Sequence, residues 1–144
     1  MGMNTRFIEL AGEINTAMPA YVVQKVGEAL NSISKSIKGS QILILGLAYK
    51  KNVDDLRESP SLELIESLID KGAVVEYSDP YFKIIPHTRK YQFELESKAL
   101  NAETLKSADL VLLATDHDDF DYKLIEKEAS LIVDTRGRFN HSNK

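Results

Sequence analysis

The amino-acid sequence predicts an α/β fold with a doubly wound parallel sheet. Apolar runs of four or five residues, such as Ile42-Leu43-Ile44-Leu45, carry no polar alternation and so read as strands buried on both faces. Amphipathic helical segments separate these runs. Strands that alternate with helices pair in parallel through right-handed crossovers. The chain has 144 residues, enough for one complete domain with its own core and an appended element.

From Asn4 to about Lys38 apolar residues recur at helical spacing, among them Phe7, Ile8, Ile14, Val22, Val26, Leu30 and Ile37. This stretch reads as a long N-terminal helical arm, kinked or broken near Ala17 to Pro19, with Pro19 starting the second piece. Its apolar positions fill more than one stripe, so the arm is a candidate surface for self-association. Lys38-Gly39-Ser40 is a turn, and Gln41 to Leu45 is a buried strand. Ser59-Pro60 is a helix start, with serine as cap and proline in the first turn, and Leu62, Leu64, Ile65, Leu68 and Ile69 form one apolar face. Gly72 ends that helix.

Ala73 to Tyr77 is the next strand, stopped by Asp79-Pro80. Residues 81–100 are irregular, with a short strand expected near Gln92 to Leu95. Asn101 to Ser107 reads as a short helix, Ala108 to Ala114 as a core strand, Tyr122 to Glu128 as a helix and Leu131 to Asp134 as a last strand. Residues 1–38 therefore form a helical region, 39–139 the sheet domain and 140–144 a disordered tail.

Composition narrows the function. Hydrophobic content of 43% and charged content of 28% are ordinary for a globular protein, and a net charge of −4 gives no reason to expect nucleic acid. The absence of cysteine removes disulfides, thiolate metal sites and a cysteine nucleophile. No signal-peptide pattern opens the chain and no run of about 18 apolar residues occurs, so no membrane partner is expected and the cytoplasm is the default location.

The chemistry concentrates between Gly46 and Pro60, where Lys50, Lys51, Arg57, Asp54 and Asp55 crowd a connection far longer than the usual roughly 2–6 residues. This connection leaves the carboxyl end of a strand, where open α/β sheets bind ligands. A dinucleotide fingerprint would require G-x-G-x-x-G at this point, and only Gly46 is present, followed by Leu47 and Ala48. The domain is thus Rossmann-like without the phosphate-cradling turn. Lys50, Lys51 and Arg57 could together hold phosphates, or be neutralised by Asp54, Asp55 and Glu58; charges alone leave the two readings even. Tyr49 could pack on the sheet edge or stack on a base.

Arg136 and Arg138 follow the last strand and could converge with Lys50 and Arg57 on one rim, which favours an anionic ligand. Asp79 sits where such folds place a ribose-binding acid, though Pro80 beside it favours a turn role. His87, His117 and His141 have no metal-ligand spacing, and Asp116-His117-Asp118-Asp119 reads as a solvated loop. Ser59, with no histidine nearby, is a helix cap.

Together, Gly46-Leu-Ala-Tyr-Lys-Lys51 and Asp55-Leu-Arg57-Glu58-Ser59-Pro60 resemble the C-terminal domain of the UDP-glucose/GDP-mannose dehydrogenase family. The resemblance extends to Phe7-Ile-Glu-Leu-Ala-Gly-Glu-Ile-Asn15-Thr-Ala-Met-Pro19, similar to the end of that family's central helical region, to Asp79-Pro80, and to Asp134-Thr-Arg136. The wording before Pro19 is closest to the branch that oxidises UDP-N-acetylhexosamines.

The resemblance implies a parent with an N-terminal NAD-binding domain, a helical middle used for homodimerisation, and a C-terminal domain that closes over a UDP-sugar. Its reaction oxidises the sugar's C6 alcohol to a carboxylate through a thioester on a cysteine, using two NAD. This chain, lacking that cysteine and the glycine fingerprint, is expected to be an inactive fragment, with NAD held mainly by the missing domain. Tyr49, Lys50 and Arg136 match positions that contact the nucleotide sugar, and Arg57 matches one that reaches toward NAD.

Overall fold

The computed structural model describes residues 6–9, 19–47, 60–85 and 95–136, with the backbone alone at 6, 7, 9 and 60. Five strands and four helices alternate in chain order: β1 (Arg6–Glu9), α1 (Pro19–Asn31), β2 (Gln41–Leu45), α2 (Pro60–Asp70), β3 (Val74–Ser78), α3 (Ala102–Ser107), β4 (Leu110–Leu113), α4 (Tyr122–Glu128) and β5 (Leu131–Asp134). The sheet order is β1-β5-β4-β2-β3, and every neighbouring pair is parallel. The expected Rossmann-like doubly wound sheet is the one observed.

Side-chain alternation along the strands explains the two covered faces. Ile42, Ile44, Leu110 and Leu112 point into a core shared with Val22, Val26 and Leu30 of α1 and Ile65 and Leu68 of α2. Leu43, Leu45, Val111 and Leu113 point the other way, into a second core with Leu105 of α3 and Ile125 of α4. A strand buried on both faces has no polar side to show, hence the unbroken apolar runs.

The helix ends are chemically specified. Asn101 and Asp121 cap α3 and α4 by accepting the backbone N–H of Thr104 and Leu124 at 2.8 and 3.1 Å. Gly72, at φ +95°, closes α2 with the Ala73 N–H donating to the Leu68 carbonyl at 3.0 Å. Among the described residues no helix is long and apolar enough to cross a membrane.

Two expectations need correction. Arg6–Glu9, expected as helix, is a strand in register with Leu131–Asp134. The exposed edge of β5 offers backbone partners to any extended segment, and Ile8, opposite Val133, packs against the same core as Val133. The helix begins at Pro19 as expected but stops at Asn31 rather than near Lys38. There the Ser32 hydroxyl donates to the Ala29 carbonyl at 2.6 Å, Ser34 turns to φ 64°, and the Lys35 N–H returns to the Leu30 carbonyl at 2.9 Å. Short hydroxyl side chains that compete for the backbone account for this early stop. Glu96 and Ser97 form isolated bridges, to Ile84 and Tyr77, and of the strand expected near Gln92 to Leu95 only Leu95 lies within the described residues. The expected helical stretch at 10–18, the connection at 48–59, residues 91–94 and everything after 136 lie outside the described residues.

Candidate functional site at the carboxyl ends of the strands

The chain leaves β2 for β3 on one side and later returns to β4 on the other, so the strand order reverses between β2 and β4. Open α/β sheets bind ligands at such a point. Here the carboxyl ends are Gly46-Leu47 after β2 and Ala114-Thr115 after β4. The Ala114 and Thr115 N–H groups both donate to the Leu45 carbonyl, at 2.9 and 3.1 Å, which draws the two ends together.

Gly46 is the tightest point of this junction. Its φ is +91°, and a Cβ at this position would lie 2.5 Å from Thr115 Cβ and 2.6 Å from the Thr115 carbonyl oxygen. Thr115, just past β4, therefore packs directly against the turn and leaves no room for a side chain at Gly46. The next N–H, of Leu47, donates to Asp79 Oδ2 at 2.7 Å. An internal carboxylate thus occupies this backbone donor.

Asp79 is the hub of the cluster. Its Oδ1 accepts the Tyr81 N–H at 2.7 Å, the turn role that the neighbouring Pro80 suggests. Its Oδ2 also lies 3.1 Å from His117 Nε2, and both side chains are 0% exposed. The reading of residues 116–119 as a solvated loop is wrong for His117. Asp118 and Asp119 are exposed, but His117 turns inward between the rings of Tyr81, at 4.9 Å, and Phe120, at 5.5 Å. The Tyr122 hydroxyl donates to the His117 carbonyl. Sequence pattern alone misses this because the partner carboxylate is distant along the chain; the nearby Phe120 and Tyr122 were the available sign of an apolar lining.

Tyr77, fully buried on β3, donates its hydroxyl to the Phe82 carbonyl at 2.9 Å. Burial, reinforced by the negative charges of Asp79 and Glu96, pushes its hydroxyl up to about 12 from the ordinary 10.

Arg136 is the one expected site residue that lies within the described residues. Its backbone N–H donates to Asp134 Oδ1 at 2.8 Å, and its exposed side chain reaches across to β4, where Nε donates to the Ala114 carbonyl at 2.9 Å. A guanidinium is thereby held at the strand-order reversal, one strand from Leu47. Tyr49, Lys50 and Arg57 lie outside the described residues, as does Arg138; in sequence they follow the Leu47 root or the Arg136 turn. Among the described residues there is no group of three side chains able to hold a metal ion. A groove of about 520 Å³ between α1 and α2, lined by Val23, Gly27, Ile37 and Lys71 among others, shares no residue with this cluster.

Comparison with known proteins gives concordant matches. Residues 43–141 match the UDP-glucose/GDP-mannose dehydrogenase family, UDP binding domain. The chain is 32% identical to the UDP-N-acetyl-D-mannosamine dehydrogenase of Methanococcus vannielii over 96% of its own length and 32% of that protein's. It is also 32% identical to the NDP-N-acetyl-D-galactosaminuronic acid dehydrogenase of Ralstonia nicotianae, over 95% of this chain and 31% of that one. Among solved structures, the UDP-D-ManNAc dehydrogenase of Pyrococcus horikoshii superimposes with a TM-score of 0.62 at 27% identity, covering 81% of this chain and 26% of the other. The chain thus spans about a third of the length of the curated relatives it matches.

Proposed function

The chain belongs to the UDP-glucose/GDP-mannose dehydrogenase family, and from that premise we propose that it is the C-terminal nucleotide-sugar-binding domain of an NAD-dependent UDP-sugar 6-dehydrogenase. The parent enzyme oxidises the C6 alcohol to a carboxylate. Its substrate is a UDP-N-acetylhexosamine, the class named in the relatives from Methanococcus. The observation that carries the reading is the placement of Arg136 at the strand-order reversal of a domain whose family is described by UDP binding.

In this reading the chain's own groups bind and orient, and none transforms the sugar. Arg136 offers a planar fork to diphosphate oxygens, Lys50 adds a point charge, and Tyr49 contacts the sugar nucleotide. Arg57 faces the NAD held by the N-terminal domain. That division agrees with the geometry at Gly46 and Leu47, where Thr115 packs against the turn and Asp79 takes the Leu47 N–H. The cysteine that would form the thioester has no counterpart among the 144 residues, so the chain by itself is inactive. Residues 39–139 form the binding unit, 1–38 come from the central helical region, 140–144 are a tail, and the parent works as a cytoplasmic homodimer through the N-terminal helix. In the described part of that helix Val22, Val23, Val26, Ala29 and Leu30 are buried against the chain's own core.

The test is a titration with UDP followed through backbone amide resonances. Movement at Lys50, Arg57 and Arg136 is expected, with weak affinity because the partner domain's contacts are missing. Silence throughout at millimolar UDP, or NADH production by the purified chain, contradicts the proposal.

A further inference from the structure

The buried His117–Asp79 pair takes no part in the binding roles above, since neither side chain reaches the surface. Burying two ionisable groups is costly, and an apolar pair of similar shape would often serve the core as well. The reason for the pair lies in what else the Asp79 carboxylate holds. Oδ2 accepts the Leu47 N–H at 2.7 Å and contacts His117 Nε2 at 3.1 Å, while Oδ1 accepts the Tyr81 N–H at 2.7 Å. One carboxylate therefore joins the carboxyl ends of β2, β3 and β4.

Two of those ends lead to the proposed ligand contacts. Leu47 is the residue from which the chain departs toward Tyr49 and Lys50. The β4 end that carries His117 also carries Ala114, whose carbonyl accepts Arg136 Nε at 2.9 Å. With two amide donors already on the carboxylate, a ring nitrogen at 3.1 Å bonds to it as a donor, which selects a ring protonated at Nε2.

We propose that His117 and Asp79 are positioning residues of the nucleotide site. His117 donates its Nε2–H to Asp79 and fixes the carboxylate's orientation. The carboxylate in turn holds the Leu47 backbone and ties it to the strand end on which Arg136 rests. Neither residue touches the ligand. The effect on affinity rests on the UDP reading, whereas the effect on Leu47 does not.

The first measurement is a nitrogen-15 spectrum of the histidine rings in the unsubstituted chain, where three histidines make assignment simple. A protonated His117 Nε2 is expected, and a bare Nε2 overturns the proposal. The second compares His117→Phe, which keeps a ring and loses the donor, with His117→Gln, which returns an amide N–H. The UDP dissociation constant should rise about tenfold in His117→Phe and recover to within about threefold in His117→Gln, with the Leu47 amide resonance moving and returning in parallel. A pair that serves stability alone would lower the urea midpoint and leave both the affinity and the Leu47 resonance unchanged, which contradicts positioning. If the unsubstituted chain does not bind UDP, the functional reading falls, and the ring spectrum and the Leu47 resonance still decide this proposal. If His117→Phe does not fold, the ring spectrum and His117→Gln decide it.

Discussion

Replacing Gly46 by alanine adds one methyl group at the junction of β2 and β4, and the structure says what that methyl would meet. It would lie 2.5 Å from Thr115 Cβ, 2.6 Å from the Thr115 carbonyl oxygen and 2.9 Å from Thr115 Cα. All three are backbone atoms or the carbon fixed to them, so no side-chain rotation relieves the overlap. The φ of +91° adds a separate cost of about 1–2 kcal/mol for an L-residue. Overpacking of this kind costs about 1–3 kcal/mol. Alanine also stiffens the unfolded chain, which returns about 0.4–1 kcal/mol. The net loss is about 1–5 kcal/mol, and with a urea slope of about 2 kcal/mol per molar the midpoint falls by about 0.5–2.5 M. Gly39 supplies the control, because its φ is +86° and a Cβ there meets nothing within 4 Å. Gly39→Ala carries the backbone cost without the clash, so urea unfolding should show Gly46→Ala weaker by about 1–3 kcal/mol more. Equal midpoints for the two variants would refute the close packing of Thr115 on Gly46.

Other outcomes follow from single contacts. Arg136→Ala should shift stability by less than about 1 kcal/mol, because the side chain is exposed, yet weaken UDP binding about tenfold by calorimetry; unchanged affinity would remove Arg136 from the site. Asn101→Ala and Asp121→Ala each delete a cap and should each cost about 1 kcal/mol, adding in the double variant, as read by thermal unfolding. Tyr77 holds its proton up to about 12 in the folded chain and gives it up near 10 when unfolded. The stability it contributes is complete below pH 10 and is lost as pH rises toward 12. By linkage the loss is about 1–3 kcal/mol, so urea midpoints of the unsubstituted chain should fall more steeply over this range than those of Tyr77→Phe. Parallel curves would show that Tyr77 ionises as freely folded as unfolded.

Local chemistry made most of the fold legible. Gln41–Leu45, Tyr122–Glu128 and Leu131–Asp134 lie where the apolar runs and cap residues put them, and Pro19, Pro60 and Gly72 mark helix ends as their backbone constraints require. Arg6–Glu9 was not legible because a stretch of four residues has no period of its own; the available edge of β5 decides its state. The end of α1 at Asn31 depended on serine hydroxyls whose competition with the helix is a matter of tenths of a kcal/mol in sequence and a specific bond in structure. At the site, the cation after β5 was legible from the parallel sheet alone, since all strand ends share one edge. The His117–Asp79 bond was not, because two polar residues in separate loops carry no mark of each other until the sheet brings the ends of β3 and β4 together.

In the function proposed above, the carboxyl ends of β2 and β4 serve a UDP moiety through side-chain cations, and the packing of Gly46 on Thr115 with the Leu47–Asp79 bond leaves the turn to no dinucleotide. Parallel titrations of the chain with UDP and with NAD, followed through backbone amide resonances, test it directly. UDP should move Arg136 and Lys50 in a saturable way, while NAD leaves Gly46, Leu47 and Thr115 where they are. Saturable movement of Gly46 and Leu47 with NAD, and none at Arg136 with UDP, would contradict it.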